Sequence, residues 1–135
     1  MTKNYHGNSH SKFLLQYHIV WSPKFRFNEL KGNVDVALKQ ILDNICTQYG
    51  YGCIEKEVMP DYIHLFLSLK PTVAPSDAVR TLKSITAIEL FKQFPELKKF
   101  YARNGSLWGE GYFVTTVGNA TTEAIKKYIQ EQKTK

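Results

Sequence analysis

Met59-Pro60-Asp61-Tyr62-Ile63-His64-Leu65-Phe66-Leu67-Ser68-Leu69 is the stretch from which the fold is read. Ile63, Leu65, Leu67 and Leu69 alternate with Tyr62, His64, Phe66 and Ser68. A period of two marks a β-strand with one face against a core. His64 therefore stands on the opposite face, with Tyr62 and Phe66 as same-face neighbours. An imidazole there can meet solvent, a metal ion or a ligand.

Working outward, residues 53–58 read as a partner strand that Met59-Pro60-Asp61 turns into this one, an antiparallel hairpin. Residues 13–21 read as a first strand, with Leu15, Tyr17, Ile19 and Trp21 on one face and Gln16, His18 and Val20 on the other. Pro23 closes it, and the basic loop Lys24-Phe25-Arg26-Phe27 follows. Val34, Leu38, Ile41, Leu42, Ile45 and Tyr49 recur at helical spacing, and Gly50 and Gly52 end that helix. Beyond Pro71 and Pro75, residues 76–94 read as a second long helix, stopped by Pro95. Residues 96–110 are polar and basic, and with Gly105, Gly109 and Gly111 they read as a mobile loop. Residues 112–117 form a last strand, Gly118-Asn119 a turn, and Thr121 or Thr122 a cap for a helix running to Gln132.

The order strand, helix, strand, strand, helix, strand is the βαββαβ pattern of a ferredoxin-like α+β fold. It predicts one antiparallel four-stranded sheet with two helices on one face, and a C-terminal helix in addition. Residues 1–135 make one domain, with 1–11 a polar N-terminal arm and 120–135 the added helix. His18 and His64 both fall on the open face. RNA-recognition modules stack bases on such a face, so shape alone suggests a nucleic-acid ligand.

The chain's 135 residues, 43% hydrophobic and 22% charged, suffice for one unstapled hydrophobic core. No apolar run approaches the roughly 20 residues of a membrane span, and the N-terminus lacks the apolar centre of a signal peptide. A cytoplasmic protein with no membrane partner is expected. Cys46 and Cys53 lie in apolar patterns without CxxC spacing, which favours reduced thiols over a disulfide or zinc. The net charge is +6, and Lys24, Arg26, Lys98, Lys99, Arg103, Lys126 and Lys127 are interleaved with aromatic residues. Phosphate contact plus base stacking needs that mixture. A solvated basic surface over core aromatics accounts for it as well.

Tyr128 and Gln132 are four apart and so share a helix face, with Lys127 beside the phenol. A tyrosine that attacks a phosphodiester needs its phenol activated and the growing phosphorane charge neutralised, which a bound divalent metal can do. By spacing alone, such a tyrosine is far more often a packing residue and such a glutamine a surface one.

Several motifs narrow this, in order: Tyr17-His18-Ile19-Val20-Trp21, Pro23-Lys24-Phe25-Arg26, Glu57-Val58-Met59-Pro60-Asp61, Leu82-Lys83-Ser84, Phe94-Pro95-Glu96-Leu97, Leu107-Trp108, Tyr112-Phe113-Val114, and Lys127-Tyr128-Ile129-Gln130-Glu131-Gln132. Over nearly the whole chain their order resembles the single-tyrosine HUH transposases, enzymes of insertion sequences that move as single-stranded DNA. The resemblance implies a divalent ion, Mg²⁺ or Mn²⁺, held by a histidine–hydrophobic–histidine strand motif and a glutamine on the tyrosine helix. It implies a tyrosine that cuts single-stranded DNA and becomes linked to the 5′ phosphate. It also implies a homodimer with exchanged tyrosine helices, binding DNA hairpins from the element's ends. Carried onto this chain, Tyr128 is the nucleophile, His64 and Gln132 are metal ligands, and Asp61 matches an aspartate that can assist the metal. Lys24, Arg26, Lys83 and Lys127 are the expected DNA contacts.

Tyr62 departs from the motif, for it stands where the first histidine is expected. A neutral phenol, with an unperturbed pKa of about 10, is a poor metal ligand. Three outcomes stay open: a catalytically inactive relative that still binds DNA hairpins, a weakly active enzyme that recruits Asp61 or a DNA phosphate instead, and a change peculiar to this copy. His18, on the same face, is a further candidate ligand or DNA contact. An RNA-binding module using the open face is a third class of function, which leaves the tyrosine helix unexplained.

Overall fold

The computed structural model describes residues 6–7, 12–13, 15–25, 30–102, 105–116 and 127–131. Two short strands, β1 (His6–Gly7) and β2 (Lys12–Phe13), pair with each other. The main sheet contains β3 (Gln16–Trp21), β4 (Gly52–Met59), β5 (Tyr62–Ser68) and β6 (Phe113–Thr116), in the order β4-β5-β3-β6 with every pairing antiparallel. Helix α1 (Asn33–Tyr49) joins β3 to β4, and α2 (Pro75–Gln93) with α3 (Pro95–Ala102) joins β5 to β6. This is the expected βαββαβ arrangement.

The alternation in β5 decides which face is buried. Ile63, Leu65 and Leu67 are fully buried, and they join Ile19 and Trp21 of β3 in one core with Leu38, Leu42 and Ile45 of α1 and Val79, Leu82 and Leu90 of α2. Each such side chain contributes about 1.5–3 kcal/mol on leaving water. Both long helices feed this one core, so they cover the same face of the sheet. Helix α1 stops at Gly50, whose φ of 73° is the left-handed conformation that a side chain resists.

One expectation is corrected. The stretch after Pro95 is not all loop: residues 95–102 are helical. Proline begins a helix well because its missing N–H falls among those with no partner there. Leu97, Phe100 and Tyr101 then recur at helical spacing, and Tyr101 is fully buried with its hydroxyl donating to the Phe25 carbonyl at 2.9 Å. The rest of that connection is pinned. The Lys24 N–H donates to the Leu107 carbonyl at 2.8 Å and the Gly109 N–H to that of Ser22 at 2.9 Å, so the segment continues the sheet beyond β3. Buried Trp108 donates its indole N–H to Thr86 Oγ1 at 2.9 Å and to the Lys83 carbonyl at 3.0 Å.

Within β4 the pairing is irregular. A bulge between Cys53 and Glu55 shifts the register, so Cys53 opposes Leu67 while Glu55 opposes Phe66. Simple alternation would group Cys53 with Glu55 and Glu57. The bulge instead leaves Cys53 on the core side, Ile54 42% exposed, and both glutamates on the open face. Cys46 and Cys53 are free thiols, as expected, and hydrogen-bond to each other between α1 and β4. The turn at Gly118-Asn119 and the caps Thr121 and Thr122 lie outside the described residues.

Candidate active site

On the open face, the sheet register lines up side chains in rows. Glu57, His64, Val20 and Phe113 form one row across β4, β5, β3 and β6; Glu55, Phe66, His18 and Thr115 form the next. His18 and His64 are thus diagonal neighbours on adjacent strands, a spacing that long or aromatic side chains bridge. They do so here: His18 Nδ1 lies 2.9 Å from His64 Nε2, a hydrogen bond with one proton between two imidazoles. The His18 ring is also stacked on Phe66, with centroids 4.5 Å apart and planes 6° apart. Phe66 thereby supports the His18 ring from one side, and the hydrogen bond joins that ring to His64.

Burial is the main cause that lowers the pKa of both rings, for it penalises the charged form. His18 is lowered further by His64 and partly restored by Glu55; His64 is partly restored by Glu57 and Glu55. Both are neutral at pH 7, the form in which imidazole binds metals. Glu55 and Glu57 are not among the site residues that the sequence singles out. Glu57 could have been found, because a two-residue turn pairing Met59 with Tyr62 sets it opposite His64. Glu55 could not, because the bulge decides its face.

Tyr62 occupies the end of β5 on the same face. Burial chiefly raises its pKa, with the charges of Glu57 and Asp61 adding to the shift and a hydrogen bond to the Glu57 carboxylate completing it. Its phenol is a neutral donor, turned toward Glu57. Asp61 sits in the turn before β5, and the carboxylates acting on His64 are those of Glu57 and Glu55 instead.

Tyr128 belongs to the helical turn at residues 127–131, and its ring packs on Phe113 with centroids 5.3 Å apart. Phe113 shares a row with His64 but stands two strands away, about 10 Å at the usual strand spacing. The tyrosine and the histidine pair therefore share one face without touching through Phe113. Lys127 is exposed at the start of the turn, whereas Gln132 and Arg26 lie outside the described residues. Lys24 follows β3, with its ammonium 5.8 Å from the Phe25 ring centroid. Lys83 turns inward, donating to the carbonyls of Gly109 at 2.8 Å and Gly111 at 3.1 Å. It borders a groove of about 480 Å³ between α2 and residues 106–112, which none of His18, His64 and Tyr128 lines.

Among the described residues, no group of three histidine, cysteine, aspartate or glutamate side chains is placed to hold a metal. Two neutral imidazole nitrogens 2.9 Å apart are present, however. Adjacent positions on an octahedral ion with bonds of about 2.1 Å are separated by about 2.9–3.0 Å. The separation matches two positions of such an ion. The nitrogens are joined by a hydrogen bond, however, so an ion would take both only after displacing the shared proton and re-aiming the rings. Its other positions would be left to ligands beyond the pair.

The class is thus an antiparallel α+β domain with a histidine pair and Tyr128 on the sheet face that the two long helices leave uncovered. Comparison with known proteins makes this specific. Residues 11–132 match the family described as "Transposase IS200 like". The chain is 41% identical over 120 residues to the ISDra2 transposase TnpA of Deinococcus radiodurans, spanning 89% of this chain and 85% of that protein. It is 35% identical over 124 residues to the transposase for insertion sequence element IS200 of Salmonella typhimurium, spanning 92% and 80%. A crystal structure of a Deinococcus radiodurans R1 protein assigned as a transposase superposes with a TM-score of 0.84 at 38% identity, covering 94% of this chain and 96% of that one. A REP-associated tyrosine transposase bound to a REP hairpin shares the fold alone, with a TM-score of 0.57 at 10% identity over 90% of this chain and 68% of its own. The chain belongs to the IS200-like transposase family.

Proposed function

We propose that this transposase cuts and rejoins single-stranded DNA at insertion-sequence ends through a covalent phosphotyrosine at Tyr128. The observation that carries the reading is the placement of Tyr128 against Phe113, on the face that also bears the neutral histidine pair. In the forward step the phenol oxygen bonds to phosphorus and the bond from phosphorus to the 3′ oxygen breaks. The phenol proton ends on the departing 3′ hydroxyl, and the tyrosine keeps the 5′ phosphate. Attack by another 3′ hydroxyl reverses the sequence and returns a proton to the phenol. No external energy source is required, because one phosphodiester is exchanged for another.

A divalent ion, Mg²⁺ or Mn²⁺, would polarise the phosphate oxygens and offset the charge that develops on them. His64 would bind it, with Gln132 as the expected helix ligand. Lys127 and Lys24 would meet phosphates electrostatically, and Phe113 would hold the phenol in place. DNA hairpins are the proposed substrate form; a REP hairpin bound to a protein of the same fold supports that choice.

The test is a covalent-adduct assay with single-stranded DNA carrying the element's end, in Mn²⁺ or Mg²⁺. Wild type is expected to give a DNA-linked band that is lost in Tyr128→Phe. No adduct under either ion would overturn the reading. One observation favours a second reading, an inactive hairpin-binding relative: the side chain at position 62 donates to Glu57 instead of offering a nitrogen. In that case adduct would form only in Tyr62→His.

A further inference from the structure

We propose that His18 takes the place of the imidazole absent at position 62, so that His18 and His64 together hold the divalent ion. This goes beyond the covalent-tyrosine reading and rests on it only for the use to which the ion is put.

Three independent observations carry the assignment. His18 Nδ1 and His64 Nε2 are 2.9 Å apart, the edge spacing of two adjacent ligands on a six-coordinate ion. The ring centroids are 5.1 Å apart, so the two nitrogens face one another across a shared proton. An ion replaces that proton when each ring turns far enough to aim its lone pair at a common point, while the nitrogen separation is kept. The second observation is the support of His18. Its ring lies flat on Phe66 and its strand is interior to the sheet, so packing keeps the imidazole beside His64. The third is charge. The protein carries +6 overall, yet the carboxylates that act on this pair are Glu55 and Glu57, both brought to this face by the register of β4. They favour a cation at this spot.

Tyr62 is the weaker candidate ligand. Its hydroxyl donates to the Glu57 carboxylate, and a neutral phenol oxygen binds a divalent ion less well than an imidazole nitrogen. The ligand pair has moved from alternate positions on one strand to diagonal positions on two.

Metal binding without DNA provides the test, read by calorimetric titration of the full chain with Mn²⁺ and with Co²⁺, which imidazole sites bind more tightly. His18→Ala and His64→Ala are each expected to weaken Co²⁺ binding at least ten-fold, while Tyr62→Phe leaves it within two-fold of wild type. Introducing Tyr62→His should then relieve the dependence: in that background His18→Ala is expected to cost less than three-fold. Thermal melts of each variant separate lost ligation from lost folding, and His18→Gln provides a second, polar replacement at the same site. Unchanged Co²⁺ affinity in folded His18→Ala or His18→Gln would overturn the proposal, as would absence of binding by wild type. Because no DNA is present, the outcome is independent of whether Tyr128 forms an adduct.

Discussion

At the scale of the residue, Tyr62 and His64 show how two positions on one strand face acquire different chemistry. Burial chiefly raises the Tyr62 phenol's pKa while its hydroxyl donates to Glu57, whereas His64 shares a proton with His18. The histidine pair has a consequence for acid stability. Burial holds both rings below the free value of 6.5 in the folded protein, so the unfolded chain takes up protons first as pH falls. The stability contributed by these neutral rings is fully present above pH 6.5 and is lost as pH falls below it toward the folded pKa values. The melting temperature should therefore drop between pH 7 and 5, and the drop should be shallower in His18→Gln. Parallel pH profiles for the two proteins would refute this. Cys53 is a separate case: a hydrogen bond from the Cys46 thiol chiefly brings its pKa down to about 7, with Lys56 assisting against burial. The same contact pushes Cys46 up and leaves it a thiol.

At the scale of the element, α2 and the segment before β6 form a unit. Lys83 caps two carbonyls of that segment while Trp108 donates back to α2. Burial lowers the Lys83 pKa, with Glu110 opposing, and the two carbonyls compensate the ammonium for part of its lost water. Lys83→Met is expected to destabilise the protein by about 1–2 kcal/mol, the range for hydrogen bonds to a charged group at a half-exposed position. Urea unfolding measures it, and a change below about 0.3 kcal/mol would show that water replaces the ammonium at no cost. The motif Leu82-Lys83-Ser84 marked this lysine as a DNA contact in sequence. Its inward hydrogen bonds show that holding the segment is work it does in the free protein. The bulge in β4 is the other element-scale event, since it sends Cys53 and Lys56 toward α1 and the two glutamates toward the histidines. Lys56 meets Asp43 of α1 at 2.8 Å, a partly exposed ion pair that contributes at most about 1 kcal/mol.

At the scale of the whole molecule, the separation of Tyr128 from His64 bears on assembly. Within one chain the phenol ring rests on Phe113, two strands from His64. Exchange of tyrosine helices between two protomers, proposed on the family resemblance, would let each phenol reach the partner's histidines. Mixing Tyr128→Phe with His64→Ala protein tests it. Helix exchange predicts recovery of adduct formation in the mixture, up to about a quarter to a half of wild type if mixed dimers form statistically. Two inactive proteins that remain inactive together, while shown to form mixed dimers, would place the whole site in one chain.

Much of this molecule was legible in its sequence. The period of two in Ile63 to Leu69 identified the buried face, the helical spacing of Leu38, Leu42 and Ile45 identified its cover, and glycine and proline marked the ends. Those features are local, because backbone periodicity and solvent exclusion act on neighbouring residues. The sequence also put His18 and His64 on one face. Their contact, however, depends on which strands become neighbours and in what register. The open face of β4 depends on one extra residue at a bulge, which breaks the alternation between Cys53 and Glu57. Residues 95–102 became a helix because Tyr101 could bury itself against Phe25, a contact between segments far apart in the chain. Periodicity determined which residues face the core; only the packing of strands and helices against one another decided which polar side chains meet.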